Sequence, residues 1–204
     1  MVYIKLEKTD LEVLNFLISN LHDEYSIKKI SEELKKPYVK IHKSVKRLSE
    51  KKIIKETIKG KSHYCSVLYK ENLDIACFIS AQKARNFLEK NKKIGILISN
   101  IQESMNSPDY SLVLFGSYAK GKADKHSDLD IAIITPIENK EKAESIMNSI
   151  KRTTSLNLHP LEFTYKDFIE MLSSKENNVG KEIVKNNIIF KGYEQFYECL
   201  GLTE

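Results

Sequence analysis

Residues 114–133, LFGSYAKGKADKHSDLDIAI, break an apolar run at Gly116-Ser117 and return to one through Asp128-Leu129-Asp130. The approach, SLVLF, has the profile of a buried strand over Leu112–Phe115. Gly116 then permits a tight turn and close backbone approach to a ligand. Ser117 follows where a short helix can begin, so its hydroxyl and the unbonded amides there can face an anion. After a polar loop, IAIIT reads as a second buried strand. Alternation along a strand puts Asp128 and Asp130 on one face and turns Leu129 to the core. Two adjacent carboxylates are costly unless a cation joins them. Mg²⁺ favours a few carboxylate oxygens combined with substrate phosphates. The spacing therefore points to a metal–nucleotide site, with Asp128 and Asp130 as metal and catalytic residues. Gly116 and Ser117 would hold the β- and γ-phosphates of a triphosphate. Lys120 and Lys122, in the loop that follows, either reach its oxygens or are simply solvated.

Gly116-Ser117 followed by Asp128-Leu129-Asp130 entering an apolar strand resembles the nucleotidyltransferase superfamily related to DNA polymerase beta, in its minimal, single-sheet members. The resemblance rests on about 20 residues, 114–133, and implies a domain over roughly 93–190. It implies binding of an NTP, ATP being the expected one, with Mg²⁺ (or Mn²⁺). It further implies transfer of the nucleotide to an acceptor hydroxyl with release of pyrophosphate. The family adds a third carboxylate on a neighbouring strand, expected here within SLNLHPLEFTYKDF, after a helix at 138–152. By spacing that position falls on His159, while the carboxylate inside the strand is Glu162. In a regular strand the two point to opposite faces, so one of them can address the site. A register shift or a bulge at Pro160 would favour Glu162; otherwise His159 contacts phosphate or acts as a base. Both stand as catalytic candidates beside an incidental edge histidine and a surface glutamate.

Upstream, the charge is uneven. Residues 1–70 hold 16 Lys/Arg against 9 Asp/Glu, and the remainder 17 against 19, so the net +5 comes from the first third. Such asymmetry points to an anionic partner for that part. Thr9 or Asp10 can cap a first helix carrying Leu11, Val13, Leu14, Phe16 and Leu17. Ser26 caps a second, with Ile27, Ile30 and Leu34 on one face. Pro37 suits the first position of a third, YVKIHKSVKRLSE, with Ile41, Val45 and Leu48 on its apolar side. IIKETI and HYCSVLY, joined through Gly60, read as a hairpin. Over residues 8–70 this order resembles the winged helix-turn-helix DNA-binding family, although Lys52 stands where that family often has glycine. The likeness implies that Tyr38, Lys40, Lys43, Lys46 and Arg47 of the third helix face duplex DNA, with Lys59 and Lys61 on the wing. Between Lys35 and Lys61 there are 11 Lys/Arg and 2 acids, an imbalance a merely solvated helix would not need.

The expected architecture is α/β (α+β): a winged helix-turn-helix domain over 1–70, connecting helices over 71–107, and a nucleotidyltransferase-like domain over 108–204. The last is expected to hold a small mixed sheet flanked by helices. Residues 178–200 read as a helix, a short apolar turn and an amphipathic end, suited to core closure or an oligomer contact such as a homodimer. Cys65, Cys77 and Cys199 lie far apart, which indicates neither a disulfide framework nor a zinc site. No apolar stretch approaches the roughly 20 residues of a membrane span and no leader is evident, so a cytoplasmic protein without membrane partners is expected. Two functions compete. One is an Mg-dependent nucleotidyltransferase guided by DNA, its acceptor a partner protein, a small molecule or a nucleic acid. The other is a DNA-binding transcriptional regulator whose second domain binds nucleotide or dimerises without catalysis.

Overall fold

The computed structural model describes residues 5–21, 23–60 and 62–203. The chain divides into two compact units, 1–79 and 80–204, at a point inside one long helix.

The first unit begins with helix α1 (Lys8–Ile18), followed by a two-residue strand β1 (Tyr25–Ser26) and α2 (Ile27–Glu33). Helix α3 (Tyr38–Glu50) leads into a hairpin of β2 (Ile54–Lys59) and β3 (Ser62–Val67). The strands form one antiparallel sheet in the order β1-β3-β2. Ser26 caps α2, its hydroxyl accepting from the Lys29 amide at 3.2 Å. The cap expected at Thr9 or Asp10 lies instead at Glu7, and Asp10 is the third helical residue. Its carboxylate turns back to accept from the Glu7 amide at 3.0 Å. Asp10 is thereby drawn into the core, where Val13, Leu14, Leu17, Ile27, Ile30, Ile41, Val45 and Leu48 are buried. Lys52, just after α3, adopts φ +56°, the left-handed conformation that glycine accepts without strain.

Helix α4 (Leu73–Lys90) crosses the division, and α5 (Lys92–Met105) follows. Most of the stretch expected as a connector packs into the second unit, because Ile94, Leu97, Ile98, Ile101 and Met105 recur on one face and are buried in its core. Strand β4 (Ser111–Leu114) comes next, then the single turn α6 (Gly116–Ala119) and β5 (Leu129–Thr135). A 3₁₀ turn over Ile137–Asn139 leads to α7 (Lys140–Thr153), then β6 (Leu158–Thr164), α8 (Tyr165–Ser173) and α9 (Val179–Lys185). The chain closes with β7 (Ile188–Lys191) and α10 (Tyr193–Gly201). Residues 188–191, expected as an apolar turn, are thus a fourth strand, too short to show a period of its own.

The sheet order is β6-β5-β4-β7, with β5–β6 parallel and its other pairs antiparallel. On one face Leu112, Leu114, Leu129, Ile131, Ile133 and Leu158 pack against α5 and α7. Burying each such aliphatic side chain contributes about 1.5–3 kcal/mol. Val113, Ala132 and Ile134 alternate to the other face, toward α8 and α10. No described helix is long and apolar enough to cross a membrane. Cys65 and Cys199 are buried free thiols, pushed by burial up to about 12 and about 11.

Candidate functional site

The interruption at Gly116 is a sharp turn between β4 and β5. Gly116 sits at φ +69°. A Cβ on it would collide with Asp130 Oδ2 and lie 3.0 Å from Asp130 Cγ. The absence of a side chain is thus what lets the Asp130 carboxylate lie against the turn. The Phe115 amide donates to the Asp130 carbonyl at 3.0 Å, fixing β5 to the turn. Gly116 and Ser117 open α6, whose first amides have no intrahelical acceptor. The turn thus offers backbone donors beside a carboxylate.

Leu129 is buried between the two aspartates. Asp128 is exposed just before β5, and the Asp130 side chain is 21% exposed inside it. Strand β6 supplies the neighbours. Its register pairs Asp130 with His159 and Leu129 with Leu158. His159 Nδ1 lies 2.9 Å from Asp130 Oδ1. A carboxylate can only accept, so Nδ1 carries the hydrogen. The Leu129 amide donates to the Asn157 carbonyl at 2.8 Å, and Asn157 Nδ2 donates to Asp128 Oδ1. Asn157 is a site residue that sequence reasoning missed. Its signal was available: it stands two positions before His159, in the residue that leads directly into β6.

Glu162 is not brought to this site. It pairs with Ile133, three positions along, so it stands on the face covered by α7. Burial, and then the nearby Glu144 charge, raise its pKa above the usual carboxylate value. The bulge that would have rotated it does not occur, because the β5–β6 register runs unbroken from Leu129 to Thr135. Lys120 is engaged elsewhere, with Nζ 2.7 Å from Glu182 Oε1 on α9, while Lys122 is exposed in the loop. Among the described residues no group of three or more His, Cys, Asp or Glu side chains forms a metal cage. The donors present suit a hard cation that takes two carboxylates and draws its other ligands from water and phosphate.

In the first unit Tyr38, Lys40, Lys43 and Lys46 are exposed along α3, and Tyr38 stacks on His42. Arg47 does not join them. It turns to α1, with Nη2 2.7 Å from Asp10 Oδ1 and 3.0 Å from Glu7 Oε2. A buried aspartate needs its cation more than the surface does. Lys59 pairs with Glu24 at 2.5 Å and lies over the Tyr64 ring. Lys61, expected on the wing, falls outside the described residues.

Residues 97–189 match the nucleotidyltransferase domain family, a stretch that holds the whole of the turn, both aspartates and β6. A segment of 46 residues is 46% identical to "Probable protein adenylyltransferase MntA" of Haemophilus influenzae. That alignment covers 22% of this chain and 39% of the relative's length. Together the two matches support a nucleotidyltransferase, with transfer of a nucleoside monophosphate as its general chemistry.

Proposed function

We propose that the C-terminal unit transfers the nucleoside monophosphate of an NTP, ATP by preference, to a hydroxyl on another macromolecule. The observation that carries this is the Gly116 turn with Asp130 seated against it and Asp128 two residues before. Gly116 and Ser117 amides would receive the β- and γ-phosphates. Asp128 and Asp130 would hold Mg²⁺ (or Mn²⁺), which when bound neutralises charge developing on the phosphates. The acceptor oxygen attacks the α-phosphorus, the bond to the β-phosphate oxygen breaks, and pyrophosphate leaves. The acceptor's proton passes to a base, for which His159, with its side chain 54% exposed, is the available group. The relative's name, protein adenylyltransferase, favours ATP as donor and a protein hydroxyl as acceptor.

The N-terminal unit is read as a winged helix that tethers this chemistry to duplex DNA. Tyr38, Lys40, Lys43 and Lys46 would contact it, with Lys59 at the wing. Lysines make mainly phosphate contacts, which give salt-dependent affinity and little sequence information. A second reading, a DNA-binding regulator that binds nucleotide without turnover, draws on one observation: Glu162 faces away, so among the described residues no third carboxylate joins the pair.

Calorimetry with ATP, GTP, CTP and UTP, with and without Mg²⁺, tests the site in wild type and in Asp128→Asn/Asp130→Asn. Mg²⁺-dependent binding lost in the double variant is the expected result. Labelled nucleotide carried onto a protein or nucleic acid would then separate transferase from regulator. No binding of any nucleotide at millimolar concentration would overturn both readings of this site.

A further inference from the structure

The two aspartates are held from one side by a pair of side-chain nitrogen donors. Asn157, just before β6, and His159, its second residue, stand two positions apart, and each reaches one carboxylate. The main chain locks that alignment, since the Leu129 amide donates to the Asn157 carbonyl between them. Adjacent carboxylates repel when no cation is present. Hydrogen bonds to charged acceptors offset this repulsion and are the stronger kind. These donors also occupy Oδ1 of each aspartate, and Asp130 Oδ2 is pressed to the Gly116 turn. A cation arriving alone finds one oxygen of each carboxylate already shared. Mg²⁺ and Mn²⁺ favour six oxygen ligands and lose water reluctantly. The triphosphate must therefore supply much of the coordination.

Resting on the nucleotidyl-transfer reading above, we infer that Asn157 and His159 are positioning residues: they hold Asp128 and Asp130 in place before the cation arrives, and so make the site take one divalent cation together with its nucleotide rather than a bare ion. A carboxylate at position 159 would reverse this. It would add a third anionic ligand and release Asp130 Oδ1.

The test follows free Mn²⁺ by electron paramagnetic resonance on the full chain, with and without a non-hydrolysable ATP analogue. Wild type should bind Mn²⁺ at least about tenfold more tightly with the analogue than without it. His159→Asp should gain about tenfold or more for bare Mn²⁺. His159→Asn, which keeps a donor, should stay within about threefold of wild type in Mn²⁺–analogue affinity. Asn157→Ala should lose about tenfold, the effect of removing one hydrogen bond to a charged group. Circular dichroism accompanies each variant. Bare Mn²⁺ bound as tightly as Mn²⁺ with analogue overturns the inference, as does a folded His159→Asp that gains nothing. If His159→Asp does not fold, an Asn157→Ala that binds like wild type overturns it. Failure of the analogue to bind wild type at any Mn²⁺ concentration sinks the transfer reading instead, and the bare-Mn²⁺ gain of His159→Asp still reports on β6.

Discussion

Asp10 in the N-terminal unit and Asp130 in the C-terminal unit are both aspartates with a nitrogen donor from a distant element, yet they are built in opposite ways. Asp10 is 1% exposed and saturated: Ser44 Oγ and Arg47 Nη2 donate to Oδ1, the Glu7 amide and Arg47 Nε to Oδ2. Asp130 is 21% exposed and takes one side-chain donor, His159, with its second oxygen lying on a glycine turn that a side chain would fill. A structural carboxylate spends all its acceptor capacity inside the fold, and one kept for a ligand leaves part unspent. The first arrangement gains stability, and the second accepts a local cost that a cation and phosphates can offset.

Replacement should separate the two most sharply. Asp10→Ala strips Arg47, Ser44 and the Glu7 amide of their acceptor and should destabilise the protein by about 3 kcal/mol in urea unfolding. Asp130→Asn should change unfolding free energy by less than about 1 kcal/mol while reducing Mg²⁺-dependent nucleotide binding about 100-fold or more. Equal losses of stability in both variants would dissolve the contrast. Acid titration sharpens it further. Burial pushes the Asp10 carboxyl up, but the Arg47 and Ser44 hydrogen bonds, the Glu7 amide and the Arg47 charge outweigh it, so its pKa lies below the usual value. The stability it contributes is therefore present above the unfolded aspartate pKa and lost as pH falls through the lowered folded one. Asp10→Ala should unfold with a shallower dependence on pH in that acid range.

The turn comes next in size. Gly116→Ala forces a Cβ into the Asp130 carboxylate and leaves an L-residue at φ +69°. We expect a loss of about 2 kcal/mol in stability and about tenfold or more in nucleotide affinity. A stable Gly116→Ala with unchanged affinity would show that the carboxylate does not need its seat on the turn.

This difference between the units also governs how much could be read beforehand. The strand–turn–strand around Gly116 was legible because a glycine, a serine and two aspartates at fixed spacing carry their own geometry. The order of α1, α2, α3 and the hairpin was legible from apolar spacing. What sequence could not reveal were partners distant along the chain. Arg47 looks like one more cation on the basic face of α3, and the acid that claims it lies 37 residues earlier. His159 and Glu162 compete on spacing alone, and the parallel register of β5 with β6 decides which one stands beside Asp130. Asn157 escaped notice because an amide before a strand is ordinary until its neighbour across the sheet is known.

Glu162 provides a smaller effect of opposite sign. Burial, ahead of the Glu144 charge, raises its pKa, so at neutral pH the folded state holds an ionised group at some cost. A carboxyl raised in this way favours folding as pH drops through the folded pKa, where the native state binds the extra proton. Glu162→Gln should therefore stabilise the protein at pH 7 by less than about 1 kcal/mol. The gain should shrink as pH falls through the raised pKa. Because Glu162 lies on the α7 face, nucleotide binding should be unchanged. Loss of nucleotide binding in this variant would return Glu162 to the site.

The smallest effect is expected back in the first unit, at Lys52. This exposed residue holds φ +56° where α3 gives way to β2. Its amide donates to the Ser49 carbonyl at 2.9 Å, and its own carbonyl accepts from Asn72 Nδ2 at 3.0 Å. The left-handed turn is thus fixed by bonds on both sides rather than by the lysine, whose Cβ is strained there. Lys52→Gly relieves that strain, but it gives the unfolded chain more freedom to lose. The first effect is the larger at positive φ, so unfolding free energy should rise by about 0.5 kcal/mol. The same substitution removes one positive charge beyond the end of α3. If binding of duplex DNA depends on Tyr38, Lys40, Lys43 and Lys46, affinity should fall by less than about threefold, against about tenfold for Lys43→Ala/Lys46→Ala at the same salt concentration. A destabilised Lys52→Gly would mean that the lysine side chain itself holds the turn, and the strain assigned to its backbone would be the wrong account.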